Sequence, residues 1–167
     1  MRNLIITLTT LLVALMSSCE KNYTEFYSDN RPEIPVTFEG ATTHGFNPYI
    51  IVPLSNGNIS FTLSIPETSG RTIESISRVH AGATNINAGG VRAATYISAP
   101  IPGNGTKATF NTTIDEFRSK SAANNTLIQG FIDNEDLSQL EIAFMYLVTL
   151  DDGQEIIPVQ TRVWIRK

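Results

Sequence analysis

Two β-rich runs near the C-terminus, separated by a turn signal, constrain this chain most strongly. Residues 140–150 and 154–166 are rich in β-branched and aromatic residues, and Asp152-Gly153 between them is typical of a two-residue hairpin turn. That turn pairs Val148 with Ile157, Tyr146 with Val159, Phe144 with Thr161, Ile142 with Val163 and Leu140 with Ile165. A slip of one residue would place Ile142 opposite Arg162 and mix apolar with charged side chains. The pattern therefore predicts a β protein with one defined hairpin register.

A second alternating pattern lies between residues 48 and 65. Polar residues alternate there with four apolar ones, Ile59, Phe61, Leu63 and Ile65. With Asn56-Gly57 at the turn, we expect a hairpin that pairs Leu54 with Ile59, Val52 with Phe61 and Ile50 with Leu63. All six side chains would then face one core, so two hairpins independently favour an all-β fold.

The remaining segments predict shorter elements. Further strands are expected at residues 34–38, 72–80 (with a bulge), 91–97, 106–110 and 127–132. Residues 40–47 and 81–90 are small and polar and are predicted to be loops. Thr113 and Glu116 have the spacing of a capping box, which predicts a short helix from Ile114 to about Lys120.

Short strands, frequent turn signals and one short helix together resemble an immunoglobulin-like β-sandwich. The resemblance is architectural, covers residues 33–167, and depends on strand length and on the long final hairpin. The Cys…Trp…Cys spacing of true immunoglobulin domains is absent. The expected fold is therefore all-β: an immunoglobulin-like sandwich of about seven to nine strands with one short crossover helix.

The N-terminal segment is organised like a bacterial signal sequence. Arg2 precedes an apolar run at residues 4–16, which is too short to span a bilayer, and small residues then lead to the only cysteine, Cys19. The sequence of residues 15–19, Leu-Met-Ser-Ser-Cys, resembles the lipobox of bacterial lipoproteins. It departs from that motif at Met16, where leucine is preferred. An ordinary secretory signal followed by an unrelated cysteine is the alternative interpretation.

The lipobox resemblance implies three segments: a lipoprotein signal peptide at residues 1–18, a polar tether at 19–32 and the β-sandwich domain at 33–167. Cys19 would carry the lipid and attach the chain to the outer membrane. The polar tail after Cys19 is also similar to surface lipoproteins of Bacteroidota, in which acidic residues near the cysteine favour export to the outer face. Glu20 and Lys21 match that tendency only loosely, so both the surface-exposed and the periplasmic face stay open.

Charge and motif content exclude several functions. The chain has 12 Lys and Arg against 16 Asp and Glu, a net charge of −4, which argues against binding to nucleic acid or to anionic lipid headgroups. If Cys19 is lipidated, no thiol remains for a disulfide, a metal or nucleophilic catalysis. No phosphate-binding loop and no hydrolase or zinc motif is present around His44 or His80. We therefore expect no metal and no cofactor.

Acidic pairs support the competing hypothesis of an enzyme. Glycosidases use two carboxylates across a glycosidic bond, so a carboxylate-dependent hydrolase acting on glycans is the alternative function. Helix capping explains Asp115-Glu116, however, and the hairpin turn explains Asp151-Asp152. We therefore expect no catalytic residue and no enzyme activity.

The only tryptophan is the candidate binding residue. In the predicted register Trp164 faces away from the core, on the same side as Gln160, Arg162 and Arg166. A flat ring flanked by arginine and glutamine suits sugar stacking or a protein interface. The alternative is that the tether or a neighbouring loop covers the indole.

The expected function combines these observations. We expect a lipid-anchored, non-enzymatic module of the cell envelope, located at the outer membrane, that binds a glycan or another envelope protein and no nucleic acid. The resemblance to Bacteroidota lipoproteins implies an accessory role in glycan uptake or surface assembly. A purely structural subunit, with the outer face of the last hairpin packed on another chain, is a third hypothesis.

Overall fold

Two β-sheets form the framework of the described part of the chain, residues 32–167 of a computed structural model. The small sheet contains β1 (Thr37–Glu39), β4 (Asn58–Ser64) and β7 (Lys107–Thr113). The large sheet contains β2 (Thr42–His44), β3 (Asn47–Pro53), β5 (Ile73–Gly82), β6 (Ile101–Pro102), β8 (Gln139–Leu150), β9 (Glu155–Ile156) and β10 (Thr161–Arg166). The strand orders are β1-β4-β7 and β2-β3-β10-β8-β5-β6, with β9 paired to β8. Residues 32–167 are thus mostly β with two sheets, as the sequence predicts, but they contain ten strands rather than the predicted seven to nine.

Residues 32–167 contain three α-helices, whereas the sequence predicts one. They are α1 (Ala88–Val91), α2 (Ile114–Ser119) and α3 (Ala122–Asp133). Helix α2 is the predicted one, since the Thr113 hydroxyl accepts a hydrogen bond from the Glu116 amide at 3.0 Å. Among the same residues, no helix combines the length and the hydropathy that crossing a membrane requires.

Helix α3 corrects the strand predicted at residues 127–132. Ser121 begins the helix by accepting a hydrogen bond from the Asn124 amide at 3.1 Å. Ile128 and Phe131 are both fully buried, and their spacing of three is that of a helix face rather than a strand face. The short apolar run is compatible with either element, and the cap before it determines the outcome.

The C-terminal hairpin has the predicted register along β10. Its pairs are Thr161 with Phe144, Val163 with Ile142 and Ile165 with Leu140. The turn is longer than predicted and contains three residues, Asp151–Gly153. It is closed by hydrogen bonds from Leu150 N–H to the Gln154 carbonyl at 2.9 Å and from Gly153 N–H to the Leu150 carbonyl at 2.9 Å. Gly153 has a φ of 83°, as a three-residue hairpin loop requires.

The pairing next to this turn is displaced by one residue from the prediction. Val148 pairs with Ile156, and residues 157–160 leave the ladder before β10 begins. Pro158 has no N–H to donate, which interrupts the ladder at this point. Because the turn contains one residue more than predicted, Ile157 lies on the other side of the sheet, where it packs in a second apolar cluster. The predicted pairs Val148–Ile157 and Tyr146–Val159 are therefore wrong.

The second predicted hairpin does not form, because β3 and β4 belong to different sheets. β3 pairs in parallel with β10, and β4 pairs antiparallel with β1 and β7. Between them the amides of Asn56 and Gly57 donate to the Pro53 carbonyl at 3.1 Å, where the chain passes from one sheet to the other. The predicted pairs Leu54–Ile59, Val52–Phe61 and Ile50–Leu63 are therefore wrong. Their side chains nevertheless face one core, because alternation specifies the buried face of a strand but not its partner.

Two further segments differ from their predicted structure, and the predicted bulge is confirmed. Residues 40–47 are not a loop but include the short β2–β3 hairpin, so that His44 lies in a strand. Residues 91–97 are not a strand, because Val91 ends α1 and is buried against Met145. The bulge predicted in residues 72–80 is present, since the pairing of β5 with β8 shifts register twice.

Aromatic rings fill the core between the two sheets. Phe61 of β4 and Phe144 of β8 are both fully buried, with ring centroids 6.5 Å apart. The hydroxyl groups of Tyr146 and Thr161 share a hydrogen bond of 3.2 Å. Burial raises the pKa of Tyr146, so its phenol stays neutral. Residues 34–167 form one compact unit around this core.

Candidate functional site

The outer face of the large sheet, turned away from the small sheet, carries the candidate site. Along β10 the inward side chains are buried, and Arg162 and Trp164 point outward between them. The parallel partner β3 places Tyr49 beside Arg162 and Ile51 beside Trp164. The antiparallel partner β8 places Glu141 beside Trp164. Residues from both ends of the domain therefore meet on one surface.

Three aromatic rings on this face contact one another, and we call His44, Tyr49 and Trp164 the aromatic platform. The rings of Tyr49 and Trp164 are stacked, with centroids 3.9 Å apart and an interplanar angle of 23°. His44 meets Trp164 edge to face at 5.4 Å and Tyr49 at 6.3 Å. Such geometries are the favourable ones for aromatic pairs. The stack keeps the partly buried indole in one orientation and covers one of its two π faces.

Two exposed apolar side chains lie on the strand and turn that carry the platform. Phe46, in the turn between β2 and β3, is 92% exposed, and Ile51 is 47% exposed. Gly45 beside Phe46 has a φ of 62°, which suits a tight hairpin turn. A phenylalanine that is this exposed contributes almost nothing to the core. Its exposure in the turn of the hairpin that carries His44 and Tyr49 points to an interaction surface rather than to folding.

Arg162 has hydrogen-bonding capacity that the described residues leave unused. Its guanidinium lies 3.8 Å from the Glu141 carboxylate, and its side chain is 19% exposed. The Nε atom is buried and has no hydrogen-bond partner among residues 32–167. A buried donor without an acceptor costs free energy. The Arg162 guanidinium therefore places a positive charge beside the platform, while its Nε lies beneath the surface.

The other predicted site residues lie apart from the platform. The Gln160 side chain donates to the backbone carbonyls of Thr84 and Ile86 at 3.4 and 3.0 Å, so it holds a loop in place. Arg166 is exposed, and its Nε donates to Gln139 at 3.1 Å. Cys19, the predicted lipid-attachment residue, lies outside the described residues. Of the four predicted binding residues, Trp164 belongs to the platform and Arg162 lies beside Tyr49.

The outer face has a covered half and an open half. Met145 and Leu147 of β8 are buried with Val91, and Ile86 and Ile157 pack against them. The loop that Gln160 holds therefore covers the β8–β5 half of the face. The platform lies on the β2–β3–β10 half, where Ile51 and Phe46 are exposed.

The sequence interpretation missed Tyr49, Ile51 and His44. It paired β3 with β4, so the outward side chains of β3 had no connection with Trp164. A signal was present, because Tyr49 and Ile51 have the opposite parity to the core residues Ile50 and Val52.

The described part of the chain was also compared with the requirements of a metal site and with known proteins. Residues 32–167 contain no group of three or more His, Cys, Asp or Glu side chains placed to hold a metal ion. Fold and surface together define a two-sheet β-sandwich that carries an aromatic patch on the outside of its larger sheet. No protein-family model matches the sequence, and no curated protein or solved structure matches it either.

Proposed function

We propose that this chain is a lipid-anchored, non-enzymatic module of the cell envelope that binds another envelope protein through the aromatic platform. The observation that carries the proposal is the Tyr49–Trp164 stack, with centroids 3.9 Å apart, together with the 92% exposed Phe46 in the β2–β3 turn. Aromatic side chains and arginines that are held in place are the usual anchors of protein interfaces.

Strand order supports an immunoglobulin-like sandwich as the scaffold. In such domains the first, second and fifth strands share one sheet, and the third, sixth and seventh share the other. Here β1, β4 and β7, which form the small sheet, take the places of the first group. β5, β8 and β10, which are neighbours in the large sheet, take the places of the second group. The helices α2 and α3 lie in the connection from β7 to β8, where the chain crosses between the sheets.

The anchor rests on the N-terminal sequence. The apolar run at residues 4–16, followed by Ser17-Ser18-Cys19, resembles a lipoprotein signal. A lipid on Cys19 would attach the chain to the outer membrane. The surface-exposed face is the proposed location, because a binding module of an uptake or assembly system would meet its partner there.

Two features favour a protein over a glycan as the ligand. Sugar rings stack on an open aromatic face, and the Tyr49 ring already covers one face of the indole. Ile51 adds apolar area beside the stack, and Phe46 adds more in the β2–β3 turn. The Arg162 guanidinium, whose side chain is 19% exposed, gives this surface a positive charge that suits a carboxylate. The expected partner surface is therefore apolar with an acidic side chain at its edge.

Site-specific photo-crosslinking in cells tests this proposal. A benzoylphenylalanine placed at Phe46 should give a discrete protein adduct, and the same probe at Val159, which is also exposed, should not. The adduct should disappear when Trp164→Ala is added, and the purified partner should bind the purified chain. Crosslinks of equal strength at both positions, or an adduct unaffected by Trp164→Ala, would refute the proposal. A glycan-array signal that is lost in Trp164→Ala, with no adduct, would assign the platform to a glycan instead.

A further inference from the structure

A cavity of about 280 Å³ opens beside the outer edge of β5. β6 pairs with β5 at Ser75 and Ile76, and beyond that point no strand among residues 32–167 pairs with this edge. The cavity, here called the β5 cavity, is bounded by residues 79–81, by residues of the 90–96 segment and by the junction between α2 and α3. It has no residue in common with the aromatic platform, so it is a second site.

Small residues form one wall of the β5 cavity. Gly90, Ala93 and Ala94 line it, and Ala93 lies exposed at its mouth. Gly90 packs directly on His80, since a Cβ atom at position 90 would lie 2.9 Å from Nε2 of that histidine. Any larger residue at position 90 would displace the imidazole. The short side chains of this wall therefore leave the space open and His80 in place.

The other wall is polar and contains an ammonium group. Lys120 lines it, and no carboxylate is among the described residues that do. The Lys120 ammonium contacts Glu116 at 3.0 Å and lies 5.1 Å from the centre of the Tyr96 ring. Two of its three N–H donors remain for a ligand. The second oxygen of Glu116 accepts from Thr112 at 3.0 Å, which holds that carboxylate outside the cavity wall.

Hydroxyl and imidazole groups complete the polar wall. Ser121 accepts a hydrogen bond from the Asn124 amide at 3.1 Å, so its own O–H can donate to a ligand. His80 offers a ring nitrogen as donor or acceptor, and Thr95 a second hydroxyl. This mixture of donors and acceptors suits a ligand with several hydroxyl groups.

We propose that the β5 cavity binds a small carboxylate with several hydroxyl groups, of the size and chemistry of a sugar acid. Lys120 pairs with the carboxylate, and Ser121 and His80 hydrogen-bond to the hydroxyls. The volume lies just below the roughly 300 Å³ at which pockets for drug-sized molecules begin, which suits a single sugar ring.

Calorimetric titration of the full chain in detergent with D-galacturonate and D-galactose tests this proposal, because the two sugars differ in the carboxylate. The unmodified chain should bind galacturonate at least about tenfold more tightly than galactose. Lys120→Gln should remove that preference. Ala93→Phe should block both sugars by filling the mouth of the cavity without touching a polar group.

Lys107→Gln is the matched control, since Lys107 is also a lysine in an ion pair, with Glu39 at 2.8 Å, and does not line the cavity. It should bind both sugars like the unmodified chain, and all variants should keep its melting temperature. The proposal is overturned if the unmodified chain binds neither sugar or binds both equally. It is also overturned if Lys107→Gln loses as much affinity as Lys120→Gln.

Discussion

Trp164 stacks on Tyr49 with a centroid distance of 3.9 Å, although the two residues come from the last strand and from one of the first. The parallel pairing of β3 with β10 produces this contact. Because the inward residues of β10 fill the core, the stack can be altered without removing a core side chain. Binding through the platform and folding of the sandwich are therefore separable by mutation.

Replacing Tyr49 should change the fluorescence of the single tryptophan. Tyr49→Ala removes the ring that covers one face of Trp164, so the emission should move to longer wavelength and acrylamide should quench it more strongly. Tyr49→Phe keeps the ring and should leave the spectrum unchanged. An unchanged spectrum in Tyr49→Ala would mean that the two rings do not stack in solution.

Truncating the core aromatic residues should destabilise the domain strongly. Phe61→Ala and Phe144→Ala should each lower the free energy of unfolding by about 3–5 kcal/mol, because each removes buried surface and leaves a cavity. Phe46→Ala, the same change at a 92% exposed position, should stay within about 0.5 kcal/mol of the unmodified protein. Denaturant unfolding measures all three. Equal midpoints for Phe46→Ala and Phe144→Ala would contradict the assignment of the core.

The displaced pairing next to the hairpin turn makes a separate prediction. Ile156 is buried against Val148, whereas Val159 is 50% exposed. Ile156→Ala should therefore cost about 2–5 kcal/mol of stability, and Val159→Ala less than about 0.5 kcal/mol. Thermal unfolding at several denaturant concentrations distinguishes the two. The reverse order of stabilities would support a two-residue turn instead.

Removing the cysteine should release the chain from the membrane. Cys19→Ala eliminates the proposed lipid attachment, so the protein should appear in the soluble fraction or accumulate as an uncleaved precursor. Ser18→Ala keeps a small residue before the cysteine and should behave like the unmodified protein. Fractionation with metabolic labelling by a fatty acid measures both. A Cys19→Ala variant that is processed and still membrane-bound would refute the anchor.

Patterns that depend on one strand and its buried face were predictable from the sequence. The alternation around Phe61 and Phe144 indicated correctly which side chains face the core. The capping box at Thr113 predicted the start of α2. The register along β10 followed from the need to keep Arg162 out of the core.

Features that depend on which strands become neighbours were not predictable in the same way. Alternation in β3 is satisfied equally by pairing with β4 or with β10, since either leaves Val52 inside. The contact of Tyr49 with Trp164 follows from that choice, so the sequence indicated Trp164 but not its partners. The missing N–H of Pro158 was a signal for an interrupted ladder. It does not specify the length of the turn, which sets the pairing of Val148 with Ile156.

The dissociation constant of the partner that crosslinks at Phe46 tests the central claim most directly. Trp164→Ala should weaken binding by about 30-fold or more, which corresponds to about 2 kcal/mol for one anchor residue. Val159→Ala, a truncation of another exposed apolar side chain, should leave the constant unchanged. If Trp164→Ala bound the partner within about twofold of the unmodified chain, the aromatic platform would not be the binding surface.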